Sequence, residues 1–231
     1  MNSQKPIIIQ SPHLQKNLET ISQGYPHLAF EQQCKGEEFR QAANQIMLDV
    51  ASHTIQMIKD PEKTAVALAW RSSLPFAESF KEFGINNFVH FNVHRDEETL
   101  QPICTYQSKI SESIDTIIAA DPMLATAGTA KYMFDNLNIP NRKFIFTSVI
   151  SAPEGILEVN NLNTQNPYPI VTARLDSHLN EVGYIVPGIG DFGDKWFYNL
   201  DIHAYLQTLV QAEIINEFER ELLIHRASKT N

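Results

Sequence analysis

The stretch Ile117-Ile118-Ala119-Ala120-Asp121-Pro122-Met123-Leu124-Ala125-Thr126-Ala127-Gly128-Thr129-Ala130 constrains this chain most. It reads as an apolar strand that ends at a carboxylate, turns through small and hydroxyl residues, and opens a helix. The first N–H groups of a helix lack intrahelical partners, so with the Thr126 and Thr129 hydroxyls beside them they favour an anion at one spot. A phosphate cradle is the expectation, with Asp121 facing a sugar or a metal. The same residues also fit an ordinary strand-to-helix connection capped by Thr126.

Around this stretch the pattern alternates between strand and helix. Pro12-His13-Leu14 with Leu18 and Ile21 suggests a short outer helix, and Phe39, Ala43, Ile46, Met47, Val50, Thr54, Met57 and Ile58 form the stripe of a helix buried on one side. Thr64 to Trp70 is a continuous apolar run, the mark of a strand covered on both faces, and it leads into Arg71-Ser72-Ser73. A helix over Leu74 to Phe83 stopped by Gly84, a strand over Asn87 to Val93, a helix over Thr129 to Leu137, a strand over Lys143 to Ile150, a helix over Pro153 to Leu162 and a strand over Ile170 to Asp176 follow. This order predicts an α/β fold with a mostly parallel sheet. His90 and His94 share a strand face but lie too far apart to bind one metal ion, and they read as structural or solvent-facing.

Three strings carry a resemblance. Asp-Pro-Met-Leu-Ala-Thr-x-Gly-Thr at 121–129, Arg-Asp-Glu-Glu-Thr-Leu-Gln-Pro at 95–102 and Gly-Tyr-Ile-Val-Pro-Gly-Ile-Gly-Asp-Phe-Gly-Asp-Lys at 183–195 resemble the motifs of uracil phosphoribosyltransferases. The turn at Arg71 is similar to that family's Arg-Ala-Gly turn, though Leu68, Trp70 and Ser73 stand where the family has proline, leucine and glycine. Ala127 likewise replaces a family glycine. Ser-Ala-Pro-Glu-Gly-Ile at 151–156 resembles another family string and reads as a helix entry.

The resemblance implies a type I phosphoribosyltransferase fold: a mostly parallel, Rossmann-like sheet with helices on both faces and a hood over the C-terminal strand ends. It implies transfer of the phosphoribosyl group from 5-phosphoribosyl 1-diphosphate to uracil, giving UMP and diphosphate, with Mg2+ brought mainly by the donor and no metal site of the protein's own. Arg71, Arg95, Asp121, Pro122, Met123, Leu124, Ala125, Thr126, Ala127, Gly128, Thr129 and Asp191 would bind the donor. Tyr184, Ile185, Gly190, Asp191 and Phe192 would frame uracil. Asp121, Asp191 and Arg95 would be catalytic, and a loop over 96–110 would close over the site. Uracil offers two carbonyls and N–H groups along a planar edge, so exposed peptide groups in a glycine-rich run are suited to reading it.

The rival reading is a catalytically impaired, phosphoribosyltransferase-like nucleotide-binding or regulatory protein, motivated by a Cβ at Ala127 and at Ser72-Ser73. A formal charge of −9 argues against a nucleic-acid surface, and no run approaches the length of a membrane span. With only Cys34 and Cys104 and no signal-like N-terminus, a cytoplasmic location is the expectation. Residues 1–197 are expected to form the phosphoribosyltransferase domain. Residues 198–231 are expected to add one amphipathic helix over 200–226, and the protein is expected to form a homodimer.

Overall fold

The computed structural model describes residues 4–95 and 102–228. In chain order the elements are β1 (Ile7–Ile8), α1 (Leu14–Ser22), α2 (Glu37–Thr54), β2 (Thr64–Ala69), α3 (Leu74–Lys81), β3 (Asn87–Arg95), β4 (Pro102–Gln107), β5 (Thr116–Ala120), β6 (Met123–Leu124), α4 (Gly128–Leu137), β7 (Lys143–Ser151), α5 (Pro153–Asn161), β8 (Ile170–Leu175), β9 (His178–Leu179), β10 (Ile185–Val186), α6 (Phe192–Phe197), α7 (Ile202–Gln211) and α8 (Glu217–Ala227). The central sheet runs β1-β8-β7-β5-β2-β3-β4, with β6 added to β7. Within it β4 pairs antiparallel with β3 and the remaining pairs are parallel.

Period-2 alternation sends neighbouring strand residues to opposite faces, and both faces are covered. Val66, Leu68, Ile118, Ala120, Ile145, Val149, Val171 and Ala173 join one core with the stripes of α1, α2 and α3. Ala65, Ala67, Ile117, Ala119, Phe144, Phe146 and Ile170 join the other with Ala130, Met133, Phe134 and Leu137 of α4 and Ile156 and Val159 of α5. The apolar runs over β2, β5 and β7 therefore follow from two-sided burial. The expected α/β fold is present, and among the described residues no helix is long and apolar enough to cross a membrane.

Two sequence expectations need correction. The segment expected to be a single loop over 96–110 contains β4, whose register with β3 runs from Arg95 opposite Pro102 to Phe91 opposite Gln107. Tyr106 of β4 stacks on Trp70 at 5.4 Å and donates a hydrogen bond to Glu219 at 2.9 Å, which fixes this strand in the body of the protein. Residues 96–101 of the expected lid lie outside the described residues, and 108–110 follow β4 as a loop.

The second correction concerns the C-terminal helix, which is two helices. Glu213 takes the left-handed region at φ 56°, ending α7, and Asn216 opens α8 with a capping box: its side chain accepts from Glu219 N–H and the Glu219 carboxylate accepts from Asn216 N–H, both at 2.9 Å. The Asn-x-x-Glu string was readable, but the unbroken apolar period across it hid the stop. Leu206, Leu209, Ile214, Ile215 and Leu223 dock in the same core as α1, α2 and α3. Most of the apolar face is thus covered by this chain itself, while Phe218 stays 62% exposed.

His90 lies at the centre of that docking. Buried to 2% exposure, it accepts from Trp70 Nε1 at Nδ1 (3.0 Å), so its Nε2 carries the hydrogen and donates to the Ile214 carbonyl (2.8 Å). The structural reading of this histidine holds, and it ties the α7–α8 turn to the residue beside Arg71. The side chain of His94 lies outside what is described.

Candidate active site

Loops from three separated segments meet at the C-terminal end of the sheet. The turn after β2 carries Arg71, Ser72 and Ser73. Asp121 follows β5, the cradle leads into α4, and residues 176–195 rise from β8 as the β9–β10 hairpin, a glycine-rich crossing and α6. The 180–195 run expected to lack regular structure therefore contains half of a two-stranded ladder and most of a helix.

The loops touch. Arg71 Nη2 pairs with Asp194 Oδ1 at 2.9 Å, and its guanidinium lies 5.3 Å from the centre of the Phe197 ring. A Cβ built on Gly193 would stand 3.7 Å from the Ser72 Cβ, and one built on Gly183 would stand 3.6 Å from the Thr126 methyl. The hood thus pairs with the arginine turn at one end and lies beside the cradle at the other. The Trp70–Arg71 and Val186–Pro187 peptide bonds are cis.

The cradle is bolted to the end of β7. Met123 and Leu124 pair in register with Ile150 and Ser151, Val149 and Ile150 N–H groups bond to the Pro122 carbonyl, and Ala152 N–H bonds to that of Leu124. Pro122, Leu124 and Ala127 are buried, so a ligand here would meet their backbone alone, whereas Thr126 and Gly128 are exposed and Thr129 is half-buried. Thr126 does not cap α4. The N-cap is Ala127, at φ 59° and ψ 13° with no side-chain cap bond, because the chain must turn left-handed to aim the helix N–H groups at the cradle.

Alanine holds a conformation here that glycine adopts freely, at a cost of about 1–2 kcal/mol. Ala127→Gly removes that cost and gives back roughly half of it through a freer unfolded chain. The expected result is a melting temperature higher by about 1–3 °C, with the donor KM unchanged or lower, measured by calorimetry and steady-state kinetics. Ser73 is a different case: its φ of −86° is ordinary for any residue, so the glycine missing at this turn removes no required backbone angle.

Asp121 is half-buried and accepts one hydrogen bond, from Met123 N–H at 3.2 Å. Burial pushes its carboxyl up to about 6, and the Met123 N–H pulls partly back. Between the ordinary carboxylate value and about 6 the folded state holds the proton more tightly than the unfolded chain, so this group stabilises the fold in acid and loses that contribution as pH rises through 6. Asp121→Asn is expected to raise the melting temperature more at pH 7.5 than at pH 4.5. Its activity should be far lower than wild type and lack the acid limb near pH 6, which a pH–rate profile would show.

Asp191 is exposed and caps α6, accepting from Asp194 N–H at 2.7 Å. Asp194 has its carboxyl raised by burial and by the Asp191 charge, with Arg71 opposing both. At the other end of α6, Arg40 of α2 donates to the carbonyls of Trp196 and Tyr198 at 2.8 and 3.1 Å, satisfying groups the helix leaves open. Among the expected base-contacting residues, Ile185 and Phe192 turn their side chains into the core, Phe192 against Phe39 and Trp196. Tyr184 is 52% exposed, and Gly190 is buried. Recognition of a planar base would therefore fall to the 185–191 backbone.

Of the expected charged residues, Arg71, Asp121 and Asp191 lie on the converging loops. Arg95 closes β3, and its side chain lies outside what is described. Sequence reasoning missed Arg174 and Asp176, which form a two-point pair at 2.6 and 3.0 Å. Through that pair the Gly188 N–H is bound to the Asp176 carboxylate (2.9 Å) and the Gly188 carbonyl to Arg174 (3.2 Å). An Arg-x-Asp spacing at the end of a strand was the available signal. A cavity of about 820 Å3 lies away from these loops, among His90, Tyr106, Lys109, Ile214 and Glu219. It takes no part in the convergence.

The family model for uracil phosphoribosyltransferase matches residues 36–199, which include every one of these loops. The chain belongs to the uracil phosphoribosyltransferase family. The uracil phosphoribosyltransferase of Pediococcus pentosaceus is 34% identical over 192 residues, covering 72% of this chain and 89% of that protein. The one from Streptococcus sanguinis is 46% identical over 114 residues, 47% of this chain and 52% of that protein. In this and similar alignments the chain spans about half the length of the curated relatives it matches. The structure of the AQ2163 protein from Aquifex aeolicus shares the fold, with a TM-score of 0.71, 20% identity and coverage of 85% of this chain and all of that one. Relative to the motifs of the uracil phosphoribosyltransferase family, the departures at Ala127 and Ser73 fall on one strained and one ordinary backbone position.

Proposed function

We propose that this protein transfers the phosphoribosyl group of 5-phosphoribosyl 1-diphosphate to uracil, releasing diphosphate and forming UMP. The observation that carries this reading is the convergence of the cradle, the arginine turn and the hood on one rim, joined by the Arg71–Asp194 pair and with Gly183 placed beside Thr126. In the reaction the bond from C1 of the ribose to diphosphate breaks and a bond to the uracil ring nitrogen forms, while the nitrogen's proton leaves to solvent. The N–H groups at the start of α4 and the Thr126 and Thr129 hydroxyls hold the 5′-phosphate. Ionised Asp121 accepts from the ribose hydroxyls. Arg71, oriented by Asp194 and the Phe197 ring, faces the diphosphate, with Arg95 as a second cation, and the hood backbone with Asp191 orients the base. Positioning and charge complementarity do most of the work.

Among the described residues no three His, Cys, Asp or Glu side chains converge to hold a metal ion. Mg2+ keeps several waters and would be held mainly through the phosphates of the donor. When bound it supplies positive charge against the leaving diphosphate. Ser73 sits at an ordinary backbone angle and Ala127 retains the left-handed turn, which supports the enzyme over the impaired-protein reading.

The test is a radiolabelled uracil assay with the donor and Mg2+, beside Asp191→Asn and with cytosine, orotate and hypoxanthine as competitors. Asparagine preserves the α6 cap and removes the charge. Labelled UMP from wild type, with at least about a hundredfold loss in the variant, is the expected outcome. Donor binding without product would overturn the enzyme reading.

A further inference from the structure

The underside of the hood rests on a part of the chain that precedes the 36–199 family match. Gly190 has a φ of +78°, and a Cβ on it would stand 3.1 and 3.2 Å from two carbons of the Tyr25 ring; one on Gly188 would stand 3.4 Å from a third. The Tyr25 ring therefore occupies the space that side chains at 188 and 190 would need. Lys195 closes the same place from below. It is fully buried, its amine has no hydrogen-bond acceptor among the described residues, and it lies 5.4 Å from the centre of the Tyr25 ring and 5.9 Å from that of Phe39. An aromatic face stabilises a cation in such a place.

One turn earlier, Ser22 at the end of α1 accepts from Arg174 Nη1 at 2.9 Å. The same guanidinium pairs with Asp176 and donates to the Gly188 carbonyl, so α1 completes a chain of contacts Ser22–Arg174–Gly188. The segment is itself anchored: β1 pairs with β8, Leu14, Leu18 and Ile21 are buried, and Cys34 N–H bonds to the Gln23 carbonyl.

We propose that Tyr25 and Ser22 are positioning residues for the base subsite, setting the height and tilt of the 188–190 backbone from beneath. Tyr25 acts by its ring and Ser22 through Arg174. The proposal rests on the base-binding reading of the hood. Its consequence is selective: loss of Tyr25 loosens the base edge and leaves the cradle, which is fastened to β7, unchanged.

The experiment compares Tyr25→Ala, Tyr25→Phe and Ser22→Ala with wild type in kinetics for each substrate and in hydrogen–deuterium exchange of the hood amides. Tyr25→Ala is expected to raise the uracil KM about tenfold or more, with the donor KM within twofold. Its exchange at 188–191 rises while that at 123–129 does not, and Tyr25→Phe, which keeps the ring, restores wild-type values. Ser22→Ala gives a smaller change in the same direction. Equal rises in both KM values, or unchanged exchange at 188–191, would overturn the proposal. If Tyr25→Ala does not fold, Tyr25→Leu carries the same comparison. Wild type without uracil turnover would reject the base reading, while the exchange data would still decide whether Tyr25 supports the hood.

Discussion

Replacing Gly155 by alanine is expected to cost the protein its donor site. Gly155 lies in the first turn of α5, and a Cβ there would come 2.4 Å from the Ala125 carbonyl oxygen and 2.6 Å from that of Leu124. Both obstacles are backbone, so no side chain can swing away. The cradle cannot move freely, because β6 is in register with β7 and the Leu124 carbonyl is already bonded to Ala152 N–H. Helix α5 cannot tilt freely either, since Ile156 and Val159 pack in the core and Glu154 accepts from Leu179 N–H at 2.9 Å. Overpacking of this kind costs about 1–3 kcal/mol. The functional loss should be larger, because a displacement near 1 Å at a positioned anion site can cost about a hundredfold in rate. Steady-state kinetics should show kcat/KM for the donor falling by that order, with uracil KM little changed and the protein still folded by calorimetry. A wild-type donor KM in Gly155→Ala would mean that the 5′-phosphate lies elsewhere.

The second large effect is expected at His90. His90→Phe keeps a ring of similar size and removes both hydrogen bonds, leaving Trp70 Nε1–H and the Ile214 carbonyl buried without their partner. Each orphaned group costs about 1–3 kcal/mol, so a total of about 2–6 kcal/mol is expected. For a chain of this length that lowers the melting temperature by roughly 5–20 °C. The pH dependence gives a second signature. Burial holds the His90 pKa below its ordinary value, against the opposing pulls of Glu219 and the Ile214 carbonyl. The unfolded chain then binds a proton near pH 6.5 that the folded chain refuses, so wild-type stability falls as pH drops below that value. The variant lacks this component, and the gap between the two melting temperatures should narrow from pH 7.5 to pH 5.5. A constant gap would show that His90 is not held neutral by the fold. Because Trp70 adjoins Arg71, the variant should also bind the donor more weakly.

The fold was legible where one physical signal dominated. Strands β2, β5, β7 and β8 are buried on both faces, and two-sided burial leaves an apolar run that cannot be mistaken for a half-exposed strand. Helices α2, α3, α4 and α5 each present one apolar stripe. The site was legible because literal strings at 121–129 and 183–195 reproduce family motifs, and backbone-made sites depend on a few glycine, proline and aspartate positions that survive as text.

What escaped was set by contacts between distant residues. Strand β4 has no strong period of its own, and its pairing with β3 and the stacking of Tyr106 on Trp70 hold it extended. The break between α7 and α8 lies inside an unbroken apolar period and is decided by Glu213 and the Asn216 cap. Gly155 read as part of a helix entry, and only the approach of the Leu124 and Ala125 carbonyls gives it a second reason to lack a Cβ. Local periodicity and turn chemistry thus determined the order of strands and helices and the chemistry of the loops, because they act within a few residues. The tertiary structure alone decided that Ser22 and Tyr25 lie under the hood, that Arg71 meets Asp194 across 123 positions, and that His90 joins Trp70 to the C-terminal turn. Such contacts depend on where the sheet brings separate segments together, and no local pattern encodes that.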